Sequence, residues 1–172
     1  MDCFEAIQER KSIRRFEPET VIQRETILAI LDAGRLAPSG GNSQPWRFVV
    51  VQSEEKRSAL QSLIEEREEI PAQHRIAKTA GVLIAVLYER NTPHGELKAV
   101  QAIGSAIENI LLATHALGFG ACWLGYHRDS VIEKTLGCAY TEELMALIAI
   151  GQPGEKPPRR PRRPLDELVR FI

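Results

Sequence analysis

Residues 81–88 read "GVLIAVLY", a nearly continuous apolar run. It is far shorter than the ~20 residues a membrane-crossing helix needs. A run of this length suits a β-strand buried on both faces, because a strand with one wet face would alternate apolar and polar residues. "LMALIAIG" (144–151) reads as a further strand. A strand buried on both faces requires apolar cover above and below its sheet.

The helical patterns are present. Residues 2–10 predict a short helix with Phe4 and Ile7 one turn apart. "ETVIQRETILAILDAGRLAP" predicts a second, with Ile27, Ile30 and Leu31 at i, i+3, i+4 spacing. Gly34 is a plausible C-terminal stop, and Pro38 cannot continue the helix. A strand is expected at Trp46–Gln52. Ser53 can cap the following helix, whose apolar face is Leu60, Leu63 and Ile64. Residues 96–117 predict the longest helix, with a wide stripe from Leu97 and Val100 through Ile103, Ile107, Ile110 and Leu111 to Leu117, closed by Gly118. "GACWLGY" (120–126) reads as a further strand, and "SVIE" (130–133) matches a capping box that opens a short helix. The order helix, helix, strand, helix, strand, helix, strand, helix, strand predicts a mixed α+β (α/β) domain.

The 172 residues suit one domain over 1–172, and a net charge of −1 gives no general attraction to nucleic acid or to a membrane. Cys3, Cys122 and Cys138 have no CxxC spacing, and the four histidines are scattered, so no metal site is expected. Unclustered thiols and a charged N-terminus without an apolar leader fit a cytoplasmic protein. Each Cys is expected to be a small buried hydrophobe.

Three polar clusters interrupt this pattern. "PSGGNSQPW" (38–46) places Pro, Gly, Ser, Asn and Gln directly beside a core strand. "RKSIRR" (10–15) gathers Arg10, Lys11, Ser12 and Arg14, cations and a hydroxyl suited to an anion, or else a solvated turn. The tail "GQPGEKPPRRPRRPLDELVRFI" is Pro- and Arg-rich and ends amphipathic; residues 153–172 are expected to form an extended arm that docks on a neighbouring surface. No Ser-His-Asp or Cys-His constellation can be assembled. Ser39 lacks the G-x-S-x-G elbow, and "GFGACW" has Trp123 where a dinucleotide fingerprint needs its third Gly.

"RKSIRRF", "APSGGNSQPWRFVVV", "GFGACWLGY" and the Arg-rich tail, in that order, resemble the FMN-dependent nitroreductase family over essentially the whole chain. The resemblance implies a central mixed, mainly antiparallel sheet of four to five strands flanked by helices, in an intertwined homodimer. It implies FMN, with its phosphate held by Arg10, Ser12, Arg160 and Arg162, its ribityl chain near Lys11, and Arg14 beside N1 and the C2 carbonyl. Pro38, Ser39, Gly40 and Asn42 would approach the ring from the partner subunit. A backbone N–H at Leu124 or Gly125 would face N5. Arg75 is the nearest match to the family's middle-segment contact. NADH or NADPH would supply hydride, and an electron-poor small molecule such as a nitroaromatic or quinone would take it up, with no protein nucleophile required. A specialised flavin enzyme of the same fold and a non-catalytic flavin-binding or sensor protein are the alternatives. The short segments 65–78 and 89–96 leave little room for a substrate lid.

Overall fold

The computed structural model of the chain describes residues 1–18, 20–65, 76–93, 95–126 and 128–172. Arg75 lies outside them. In chain order the elements are α1 (Cys3–Glu9), α2 (Arg24–Arg35), β1 (Trp46–Val51), α3 (Glu54–Glu65), β2 (Val82–Glu89), α4 (Glu96–Ala116), β3 (Gly120–Leu124), α5 (Ser130–Leu136) and β4 (Glu142–Gly151). Short 3-10 turns occupy Gly40–Asn42 and Leu165–Glu167.

The four strands form one antiparallel sheet in the order β1-β2-β4-β3. The two apolar runs are its central strands. On β2, Val82, Ile84, Val86 and Tyr88 join the core under α2 and α4, while Leu83, Ala85 and Leu87 join the core under α3 and α5. A fully buried Leu or Ile contributes roughly 1.5–3 kcal/mol. Pairing slips where Val86 faces Ala146 and Leu87 faces Leu144. The extra residue, Met145, flips the parity of β4, so Leu144 reaches the α3/α5 core that strict alternation would deny it.

Several local expectations change. Gly34 lies inside α2, because a Cβ there would come within 2.7 Å of Ile110 Cγ1. It brings α2 close to α4 and does not stop the helix. The cap of α5 is Asp129, whose Oδ1 accepts from the Val131 and Ile132 amides at 3.1 Å, and not Ser130. The Glu133 carboxylate accepts from the Leu144 amide at 2.7 Å instead of closing a capping box. On α4 the buried face is Ala99, Ala102, Ile103, Ala106, Ile107, Ile110, Leu111 and Thr114, and Leu97 and Val100 point outward. Small alanines let α4 lie close to the sheet, which the larger Leu and Val could not.

The N-terminal segment after α1 completes the edge beside β3. Ser12 forms a parallel bridge with Ala121, and the Ile13 amide donates to Ala121 O at 2.9 Å. Gly120 is required beneath it, since a Cβ would meet Ile13 Cγ1 at 2.7 Å. Phe16 bridges Pro153 just beyond β4. Both ends of the chain therefore meet at one sheet edge.

Candidate functional site

That meeting creates a cationic cavity of about 450 Å³. Arg10, Lys11, Ser12 and Arg14 line it from the N-terminal segment, and Pro157, Pro158, Arg159, Arg160 and Arg162 line it from the C-terminal arm. Six expected phosphate or flavin ligands from opposite ends of the sequence are thus brought together. The arm is fixed at several points. The Arg14 amide donates to Glu155 Oε1 at 2.6 Å, Arg15 Nε donates to Gly154 O at 3.0 Å, and Arg159 donates to the Gln8 carbonyl at the end of α1. Prolines keep the intervening backbone extended, so the Arg side chains are presented without regular structure.

Glu108 of α4 is the one carboxylate lining this cavity. Its Oε1 lies 3.3 Å from Arg10 Nε. Contact through Nε leaves the terminal nitrogens of the guanidinium free to grip a second anion. Six cations, one hydroxyl and one carboxylate form a donor set suited to a phosphate dianion, which fits the terminal phosphate of FMN. The Arg14 side chain turns into this cavity, with Nη1 3.4 Å from Ser12 O.

The bridge at Ser12 and Ala121 runs parallel, so the two segments advance together. At ~3.3 Å per residue, Arg10 to Arg14 spans about 13 Å, and Leu124 and Gly125 lie toward the far end of the same edge. Leu124 is buried, and Gly125 has open space where a Cβ would stand. A ligand with its phosphate at Arg10 and Ser12 can extend along this edge toward the backbone after β3.

The 38–46 loop is held by its own polar residues. Ser39 Oγ accepts from the Gln44 amide at 3.0 Å, and Gln44 Nε2 donates to Asn42 O at 3.2 Å. Gly41, Asn42 and Gln44 all take positive φ, of 59°, 56° and 45°. Such backbone is costly for Asn and Gln, so the surroundings must hold it, and Trp46, buried in the core, anchors the loop's end. Pro38, Ser39 and Gly40 line an open groove of about 360 Å³ against Lys98, Gln101, Ala102 and Ser105 of α4. Asn42, Leu124 and Gly125 line neither cavity.

Lys98, Gln101, Ser105, Glu108 and Glu155 were not singled out by their sequence context. Four of them do carry a signal: 98, 101, 105 and 108 fall at helical spacing on one face of α4. No comparable signal links Glu155 to Arg14, which are 141 residues apart.

Burial disfavours the thiolate form at Cys122 and Cys138. Burial pushes the Cys122 thiol up, against the opposing pull of Arg14. Cys138 is pushed up to about 11, first by burial and then by Glu142 and Glu133. Cys122 is the buried hydrophobe expected, Cys138 is half-buried, and Cys3 is exposed. Among the described residues no His, Cys, Asp and Glu group could hold a metal ion. A further cavity, of about 570 Å³, lies between α1, the end of α4 and the arm, with Ile13, Leu111, Phe119 and Ala121 in its walls.

The fold and the clasped cationic edge define an α+β protein built to hold an anionic ligand beside its outer strand. A family profile described as "Nitroreductase family" matches residues 7–152, and the chain belongs to that family. It is similar to a protein of Methanothermobacter thermautotrophicus that carries the provisional name NADH dehydrogenase/NAD(P)H nitroreductase. The two are 33% identical over 164 residues, 93% of this chain and 82% of that one. It is 30% identical to the 5,6-dimethylbenzimidazole synthase of Rhodospirillum rubrum, over 95% of this chain and 85% of that enzyme. Among solved structures, a provisionally assigned nitroreductase from Desulfovibrio desulfuricans, crystallised in complex with FMN, is 34% identical with a TM-score of 0.84. That match covers 98% of this chain and 95% of that one.

Proposed function

We propose that this chain is an FMN-dependent oxidoreductase that takes reducing equivalents from NADH or NADPH and passes them to an electron-poor small molecule, such as a nitroaromatic or quinone. The observation that carries the reading is the cationic cavity formed by Arg10, Lys11, Ser12, Arg14, Arg160 and Arg162 in a member of a family whose D. desulfuricans relative binds FMN. FMN, when bound, accepts hydride at N5 and returns the electrons to the acceptor.

Each part of the chain has a task in this reading. Arg10, Ser12, Arg160 and Arg162 neutralise and fix the phosphate, and Lys11 serves the ribityl chain. Arg14 would stand beside N1 and the C2 carbonyl and add positive charge that favours an anionic reduced cofactor. The Leu124–Gly125 backbone faces the ring edge. Pro38, Ser39, Gly40 and Asn42, stiffened by the Ser39–Gln44 bond, close the ring's surroundings from the partner subunit.

The homodimer is part of the proposal. Phe4, Leu97, Leu165, Phe171 and Ile172 are each at least 74% exposed in the single chain, a burden of apolar surface that a second copy would cover. Residues 1–172 then act as one domain with 153–172 as its arm, and the protein works in the cytoplasm with no nucleic-acid or membrane partner. No helix among the described residues is long and apolar enough to cross a membrane.

Three measurements test the reading. Acid release and chromatography of the bound flavin should give FMN, and FAD or no flavin would overturn it. Stopped-flow mixing with each nicotinamide should bleach the flavin rapidly, and persistence of the oxidised spectrum would leave a passive flavin binder. Truncation after Gly154 removes Arg160, Arg162 and the apolar end together. It should lose both FMN and the dimer by size-exclusion chromatography.

A further inference from the structure

The groove between the 38–40 loop and α4 has one charged side chain. Pro38, Ser39, Gly40, Gln101, Ala102 and Ser105 are neutral, and Lys98 is the exception. Its stem crosses the loop: a Cβ built on Gly40 would sit 3.8 Å from Lys98 Cδ. The neighbouring carboxylate in the same helical turn, Glu96, is already held by Arg128. Among the described residues Lys98 has no ion-pair partner, so its charge stands unneutralised at the groove. Gln101 and Ser105 follow it along the same face and add an amide and a hydroxyl. The Ser105 hydroxyl donates back to Gln101 O at 3.2 Å, which leaves its lone pairs and the Gln101 amide for a ligand.

We propose that this groove is the acceptor subsite and that Lys98 makes it select planar, electron-poor rings bearing a carboxylate or another anionic substituent. The proposal rests on the reading that a flavin ring lies against residues 38–42. A compact ammonium on a flexible stem suits a terminal anionic group on a ligand whose flat face lies toward the flavin ring while its edge enters the groove. The chemistry distinguishes it from the phosphate cavity, where several guanidinium groups converge and a single substituent would not be favoured over a phosphate.

The test uses oxidised, FMN-loaded, full-length protein and the paired probes 4-nitrobenzoate and 4-nitrobenzamide, with binding read from the perturbation of the flavin absorbance. The wild type should bind the anion about fivefold more tightly than the amide, the scale of a partly screened ion pair. Lys98→Gln should abolish that preference, Lys98→Arg should restore it, and affinity for the amide should stay constant in all three. Equal affinities in the wild type, or a preference that survives in Lys98→Gln, would overturn the proposal. A colourless purified protein would instead defeat the flavin reading before either probe is added, so the two failures are separable.

Discussion

Two clusters of arginine sit in this molecule, and they are built to opposite ends. At the start of β4, Glu143 is buried with Arg90 on one oxygen at 2.9 Å and Arg128 on the other, and Arg128 also reaches Glu96. Two cations meet two carboxylates, and the backbone agrees: Arg128, at φ +52°, is fastened by its amide to Leu144 O at 2.8 Å. At the other cluster six cations face the single carboxylate of Glu108. The first is electrically complete and joins the start of α4, the turn after β3 and the ends of β2 and β4. The second is left with a surplus of positive charge suited to a bound anion. The sign of the imbalance, and not the number of arginines, separates a structural cluster from a binding site.

The comparison breaks most visibly at the surplus cluster. Replacing Arg10 and Arg162 together by Ala should weaken FMN binding by about 3–6 kcal/mol, at roughly 1.5–3 per charged hydrogen bond. Flavin-fluorescence titration of the apoprotein checks this, and urea unfolding of the apoprotein should shift little. At the balanced cluster the pattern reverses. Glu143→Gln should cost about 2–3 kcal/mol of stability in urea, less than the ~3–5 for a fully buried pair because both arginines retain contact with water. Its FMN affinity per folded molecule should be nearly unchanged. A large affinity loss there would erase the distinction.

Acidity sharpens the same contrast. Burial alone would raise the Glu143 carboxyl, but hydrogen bonds and charge from Arg128 and Arg90 outweigh it and hold the group below the ordinary carboxylate range. A lowered folded pKa means stability that is complete above the unfolded value and disappears as pH falls through that value to the folded one. The stability gap between wild type and Glu143→Gln should therefore be widest near neutrality and close below about pH 4. Denaturant curves at stepped pH measure it. The smallest effect is expected from Glu108→Gln. The amide can still accept from Arg10 Nε while one negative charge leaves the cavity, so FMN should bind up to about fivefold more tightly, and less so in high salt. Weaker binding would mean that the Glu108 charge is needed to hold Arg10.

Much of the fold was legible from apolar patterning: 81–88 read as a strand buried on both faces and 144–151 as a further strand, and the sheet order then places both at its centre. What failed were readings that depended on a neighbour. Gly34 resembles a helix stop until Ile110 is brought against it, and Ser130 resembles a cap until Asp129 turns its carboxylate to the same amides. The site divides in the same way. Arg10, Ser12, Arg14 and the Arg tail stood out as clusters along the chain. Glu108 and Lys98 did not, because each is an ordinary solvent-facing residue of a long helix until the loop or the N-terminal segment is laid beside it.

The hydrogen bond between the Arg14 amide and Glu155 has a bearing on how the protein is made. Synthesis runs from the N-terminal side to the C-terminal side, so Arg10, Ser12 and Arg14 leave the ribosome while the arm that completes their cavity is still untranslated. The sheet edge at 12–16 can close only after β3 and β4 have emerged, and the cavity only after Arg162. The donor set supplied by the two ends of the chain is therefore complete only once Arg162 has been made and the arm has folded back beside Arg10 and Ser12.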